Sequence, residues 1–237
     1  NFVVTQHAAK PADADTAHNP GVILRLHKEE AKVLEPYVLD LVNRTIDSYS
    51  KRYGFELKQP VIVELYPDHD DFAVRIAGLP GIGLLGVTFG YVVAMDSPTG
   101  RADDDFHWGT TLWHEMAHVF TLEATNHLVP RWYSEGVSVF EEWSTGPLPG
   151  RHIPLPVLAA IKEDKLLPVA ELDRGFIRPT YEAQVIVSYM QAGLICEYIA
   201  GRFGQEALAK MLGEFRDGKT TAQAIEAALG ISPGQFD

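Results

Sequence analysis

The feature that most constrains this chain is a change of period. Up to about residue 97 its apolar residues come in short, strand-like runs; from about residue 108 onward they recur at helical spacing. "NFVVTQ", "GVILRLH", "PVIVELY" and "VTFGYVVAMDS" read as strands. The last reads as one long strand, with Gly90 inside it permitting a bulge or a close backbone approach. Between the second and third strands, "KEEAKVLEPYVLDLVNRTIDSYSKRYG" is a helix closed by Gly54, with Pro36 in its first turn or kinking it. "PDHDDFAVRIAG" is a short helix, "HAAKPADADTAHNPG" a loop and "LPGIGLLG" a glycine-rich turn. That turn lacks the Lys-Ser/Thr and the following helix of a phosphate loop.

After the strands only helices are expected. "WGTTLWHEMAHVFTLEAT" comes first, with Asp103 to Asp105 as its cap and favourable charge. "RWYSEGVSVFEEWSTG" follows, opened by Pro130, and then "LPVLAAIKED", "TYEAQVIVSYMQAGLICEYIAGRFG", "QEALAKMLGEF" and "TTAQAIEAALG". This order predicts a single α+β domain: an α/β lobe over residues 1–128 and a helical lobe over residues 129–237.

Composition narrows the partners. With 237 residues and 46% hydrophobic content the chain can bury a sizeable core. A net charge of −12 argues against a nucleic-acid or anionic-membrane surface, and no apolar run reaches the ~18 residues of a membrane span. The lone Cys196 excludes an intramolecular disulfide and a cysteine metal cluster, and reads as a small buried hydrophobe. The first residue is Asn1, and "ISPGQFD" reads as the start of a further helix capped by Ser232. We therefore expect a piece of a longer protein that associates through its flanking domains.

The chemistry is concentrated in "LWHEMAHVF", residues 112–120. Residues four apart stack on one helical face, so the imidazoles of His114 and His118 can reach one metal ion. Glu115 stands beside that ion, placed to take a proton from metal-activated water. The alternative is a pair of hydrogen-bonded core histidines. A catalytic zinc needs three protein ligands and an open position. Glu123, His127, Glu135, Glu141 and Glu142 are candidates for the third; Glu123 and His127 follow too closely on the same helix or its exit. Glu135 is preferred, because it lies on the next helix beyond a proline turn and precedes Gly136, where another backbone can approach. Glu142, seven residues later on the same face, is a candidate to hold a ligand from behind.

"HEMAH" followed by "RWYSEGVSVFEE" resembles the gluzincin zinc metallopeptidases, in particular the bacterial peptidase-MA-like branch often found within larger repeat-containing proteins. The matched core covers residues 112–143. The resemblance implies a zincin-like (thermolysin-like) fold, with a small twisted mixed sheet and active-site helix, then a helical lobe, and a cleft between them. It implies zinc held by His114, His118 and Glu135, Glu115 as general base, and a peptide or protein substrate. Gluzincins also supply a Tyr or His to the oxyanion from the helical lobe; Tyr189 is preferred here over Tyr181. In this family an edge strand pairs with the substrate backbone, a place the long strand 87–97 would fill. Aminopeptidase relatives carry Gly-x-Met-Glu-Asn there, of which "AMDSP" is only a faint echo, so the resemblance favours an endopeptidase. An extracytoplasmic bacterial setting is implied by the same analogy. Two other readings remain at this point: a zincin-fold scaffold domain without turnover, and a structural zinc site with four protein ligands.

Overall fold

The computed structural model describes residues 1–78, 83–101 and 107–237. The chain divides into two compact units, Asn1–Phe120 and Thr121–Asp237.

The first unit is built on one five-stranded sheet. Its elements are β1 (Phe2–His7), β2 (Val22–His27), α1 (Ala31–Tyr53), β3 (Val61–Tyr66), α2 (His69–Ala77), β4 (Gly86–Phe89), β5 (Val92–Asp96) and most of α3 (Trp108–Ala124). The strand order is β1-β2-β3-β5-β4. β2, β3 and β5 run parallel in the middle, and β1 and β4 pair antiparallel at the two edges. The parallel strands need crossovers, which α1 and α2 begin to supply. The central strand β3 buries Val61, Val63 and Leu65 completely on one face and Glu64 and Tyr66 on the other, as a strand covered on both faces must.

Two buried carboxylates interrupt this apolar sheet, and each is matched by an arginine. Glu64 on β3 accepts from Arg75 Nε at 3.0 Å and from Tyr66 Oη at 2.9 Å, and pairs with Arg25 on the neighbouring strand. Burial pushes the Glu64 carboxyl up, but the bonds from Arg75 and Tyr66 and the charge of Arg25 outweigh it and hold it below the usual range. The same burial and the Glu64 carboxylate push the Tyr66 phenol up to about 12. Asp96, fully buried at the end of β5, lies 2.6 Å from Arg101 Nε and 2.9 Å from His69 Nδ1.

The long strand expected over residues 87–97 is in fact two strands joined by a tight turn. Phe89 pairs with Val92, and Gly90 sits between with φ 57. A positive φ at this glycine reverses the chain, where a bulge would only have bent it. The consequence reaches function: the sheet edge is Gly86–Phe89, while Ala94, Met95 and Asp96 of "AMDSP" lie on the interior strand β5. The faint echo of an edge-strand motif therefore does not stand at the edge.

Asp103 to Asp105, expected to cap α3, and residues 79–82 of the glycine-rich turn lie outside the described residues. Among the described residues, His107 caps α3, its Nδ1 accepting from the Thr110 N–H at 3.1 Å. Pro36 is tolerated inside α1, and Gly54 closes that helix with φ 62.

The second unit is helical, as the period change predicts. It contains the end of α3, then α4 (Arg131–Ser144), α5 (Leu155–Lys162), α6 (Asp173–Ile177), α7 (Gln184–Phe203), α8 (Gln205–Arg216), α9 (Thr221–Leu229) and α10 (Pro233–Phe236). The five-residue α6 is too short for periodicity to reveal. α7 begins later than "TYEAQ" suggests, because Thr180 folds back to donate its hydroxyl to Gln184 Oε1 at 3.0 Å. α4 packs along α7 through two glycines. A Cβ on Gly136 would lie 2.7 Å from the Ala192 carbonyl oxygen, and one on Gly193 would lie 2.7 Å from Trp143 and from Val139. Cys196 is buried against the same interface, and burial pushes its thiol well up. Ser232 caps α10 as expected. No described helix is long and apolar enough to cross a membrane.

Candidate metal centre

Each helix that carries the motif is fixed by its own unit. In the first, α3 buries Leu112, Met116, Val119 and Phe120. Tyr49 of α1 stands edge-on to Trp113 and Phe120, each at 5.5 Å, and donates its hydroxyl to the Trp113 carbonyl at 3.0 Å. That bond is made one residue before His114, so it sets both the rotation and the height of the motif. His114 and His118 then fall on one helical face with their Nε2 atoms 3.1 Å apart.

In the second unit, every residue of α4 from Trp132 to Glu141 is buried. The Trp132 N–H, an orphan of the first helical turn, donates to Asp173 at 2.7 Å. The Trp132 indole donates to Thr221 at 3.0 Å, and Tyr133 donates to the Leu208 carbonyl at 2.8 Å. Three helices thus pin the turn that carries Glu135, which is 7% exposed. Gly136 lets α7 close over it, the close approach anticipated from the sequence.

α3 runs on to Ala124, and the chain returns as α4 through Asn126 and His127, both with positive φ (51 and 62). One atom each from His114, His118 and Glu135, all within 4.8 Å of one another, form a group that could hold a metal ion. Two imidazole nitrogens and a carboxylate oxygen are the donor set of a catalytic zinc site. Two nitrogens on a tetrahedral zinc at the usual bond length stand roughly 3.3 Å apart, close to the separation of the two histidines. The residues therefore fit the ion.

The carboxylates around the ligands sort themselves. Glu123 and His127 pair with each other at 3.2 Å. Glu141 is fully buried and accepts from the Thr145 hydroxyl at 2.5 Å, and Glu142 is half-buried one position on. Glu135 Oε1 accepts from Arg131 Nε and from Tyr189 Oη, each at 3.3 Å. The Arg131 guanidinium also lies 5.6 Å over the Phe176 ring, which meets Tyr189 edge-on at 5.1 Å. Burial first, and the Glu135 charge second, push the Tyr189 phenol far up, so it stays a donor at neutral pH. Burial pulls Arg131 down, but Glu135 and Tyr189 outweigh it and raise it. Tyr181 sits elsewhere, packed against the Val157, Ala160 and Val187 cluster with Lys165 over its ring at 5.4 Å.

Glu115 is 6% exposed and meets the edge strand of its own unit. Thr88 Oγ1 donates to Glu115 Oε2 at 2.6 Å, and a Cβ on Gly86 would lie 2.9 Å from Glu115 Oε1. Sequence reasoning missed Thr88, Gly86 and Arg131. Arg131 could have been found, since it stands four residues before Glu135 on a helix. Thr88 and Gly86 carried no signal, because only the turn at Gly90 brings them to the edge.

This architecture is shared with zinc metallopeptidases. The chain is similar to the M1 zinc metallopeptidase of Deinococcus radiodurans at 14% identity and a TM-score of 0.53, covering 98% of this chain and 50% of that one. A mutant of that enzyme matches at 13% identity and a TM-score of 0.53, covering 98% of this chain and 51% of that one. A two-domain M1 zinc metallopeptidase mutant bound to L-arginine matches at 14% identity and a TM-score of 0.55, covering 99% and 50%. The chain thus spans about half the length of these structures. No curated protein matches by sequence. The model of the Peptidase MA superfamily matches residues 43–236, and the chain belongs to that superfamily.

Proposed function

We propose that the chain is a zinc-dependent endopeptidase. The observation that carries this reading is the convergence of His114, His118 and Glu135 to within 4.8 Å, with Glu115 next to the first ligand. His114, His118 and Glu135 would hold the zinc, which when bound supplies a Lewis acid and activates water near neutral pH. Glu115 takes a proton at its carboxylate and returns it to the leaving amine. Tyr189, held against Glu135, donates its phenol proton as a hydrogen bond to the developing oxyanion. Glu142, seven residues after Glu135 on the same helix, would accept the second ring N–H of a histidine ligand.

Strand β4 is one edge of the sheet and touches Glu115, which suits an extended peptide added to that edge. The strand reads "GVTF" and bears no carboxylate to hold a free amino terminus, which supports internal cleavage. The substrate is a peptide or protein in extended form.

The test is cleavage of an unstructured protein such as casein by the zinc-loaded chain, with products identified by mass spectrometry. Internal fragments are expected, and Glu115→Gln should abolish them while keeping zinc. Release of single amino-terminal residues would overturn the endopeptidase assignment. Equal cleavage by Glu115→Gln would overturn the mechanism. No cleavage at all would point to a scaffold domain on this fold.

A further inference from the structure

We propose that Thr88 is a positioning residue for Glu115, so that the edge strand itself sets the geometry of proton transfer. The inference rests on the peptidase reading above. Strand alternation divides β4 into two faces. Val87 packs with Tyr66, Phe72 and Ala94, so its neighbours Gly86 and Thr88 take the other face. Both meet Glu115. The Thr88 hydroxyl lies 2.6 Å from Glu115 Oε2 and 3.0 Å from the Glu115 carbonyl oxygen. A hydroxyl has one proton, and the shorter, charged acceptor takes it. On the other side Glu115 lies against Gly86, where a Cβ would come within 2.8 Å of its Cγ and 2.9 Å of its Oε1.

The carboxylate is therefore held at Oε2 by a hydrogen bond from this short strand, and its Cγ and Oε1 occupy the space that a side chain at Gly86 would fill. General-base chemistry depends on the direction of the carboxylate lone pairs, and a free glutamate side chain has three torsions to spread over. A substrate that pairs with β4 would be registered against the strand that aims the base. Glu115→Gln and changes at the zinc ligands remove parts of the machinery; Thr88 leaves them all in place and controls only aim.

Three variants separate this from a structural role: Thr88→Val, which keeps the shape and removes the proton; Thr88→Ser, which keeps the proton; and Gly86→Ala, whose Cβ can be accommodated only by displacing the end of Glu115. With casein-derived peptide as substrate, kcat for Thr88→Val should fall about 10- to 100-fold, the effect of losing one charged hydrogen bond, with KM changed less than about threefold. Thr88→Ser should recover to within about threefold of wild type. Gly86→Ala should follow Thr88→Val. The second readout needs neither zinc nor activity. In crystals of the metal-free protein, Glu115 should occupy one rotamer in wild type and Thr88→Ser, and more than one or a different one in Thr88→Val and Gly86→Ala. An unchanged rotamer in both variants overturns the proposal. So does wild-type kcat for Thr88→Val beside an inactive Glu115→Gln, a result that leaves the peptidase reading intact. Full activity in Glu115→Gln sinks the peptidase reading instead.

Discussion

Replacing Gly136 by alanine tests whether the α4–α7 contact is as close as the structure has it. A Cβ there would meet the Ala192 carbonyl oxygen at 2.7 Å and Cys196 Sγ at 2.9 Å. Neither atom can yield without moving α7, since one is helical backbone and the other a short side chain buried at the same interface. Overpacking a tight site costs roughly 1–3 kcal/mol, and a backbone clash belongs near the upper end. Against this, alanine favours a helix over glycine by about 1 kcal/mol. The difference is about 2 kcal/mol of net destabilisation, or a fall in Tm of roughly 4–8 °C for a chain of this size. Gly201, in α7 with nothing within 4 Å of a would-be Cβ, is the matched control. Gly201→Ala gains the helix preference without the clash and should raise Tm by about 2–4 °C. Differential scanning calorimetry of the metal-free chain reads both. If Gly136→Ala melts at or above wild type, the close packing that seats Glu135 is not as described.

Zinc removal by a chelator should lower Tm by roughly 5–10 °C when free zinc had stood near 100 times its Kd, and His118→Ala should erase the difference. Tyr189→Phe should lower kcat about 10²- to 10³-fold with zinc content kept, as expected for loss of an oxyanion donor; unchanged turnover would remove Tyr189 from the chemistry. Because the Glu64 carboxyl is held below its ordinary value of 4.5, its stabilisation is complete above that pH and is lost as the pH falls through the lower native value. Glu64→Gln should therefore cost about 2–3 kcal/mol at neutral pH, discounted for its half-exposed arginine partners, and the gap to wild type should close in thermal melts below pH 4.5. A gap that stays constant down to pH 3 would refute the assignment.

Much of the active face was written locally. The spacing of His114 and His118 needs only a helix, and the run Leu112 to Phe120 dictates one; Pro130 and Gly136 already marked the helix that brings Glu135. Membership in the α+β class followed from the switch of period, because hydrophobic period is a property of neighbours in sequence. Cys196 was placed correctly as a buried hydrophobe for the same reason.

What only the tertiary structure decided depends on residues far apart in the chain. A single glycine torsion turned one expected strand into β4 and β5, moved "AMDSP" to the interior and put Gly86 and Thr88 at the edge. Packing sets Tyr189, one of the two candidate tyrosines, against Glu135 and Tyr181 in another cluster. The distinction is physical. Two histidines four residues apart share a helical face by helix geometry alone, whereas the Glu115 carboxylate accepts a hydrogen bond from a hydroxyl 27 residues away. No local pattern can encode that contact, because it exists only once the sheet has formed.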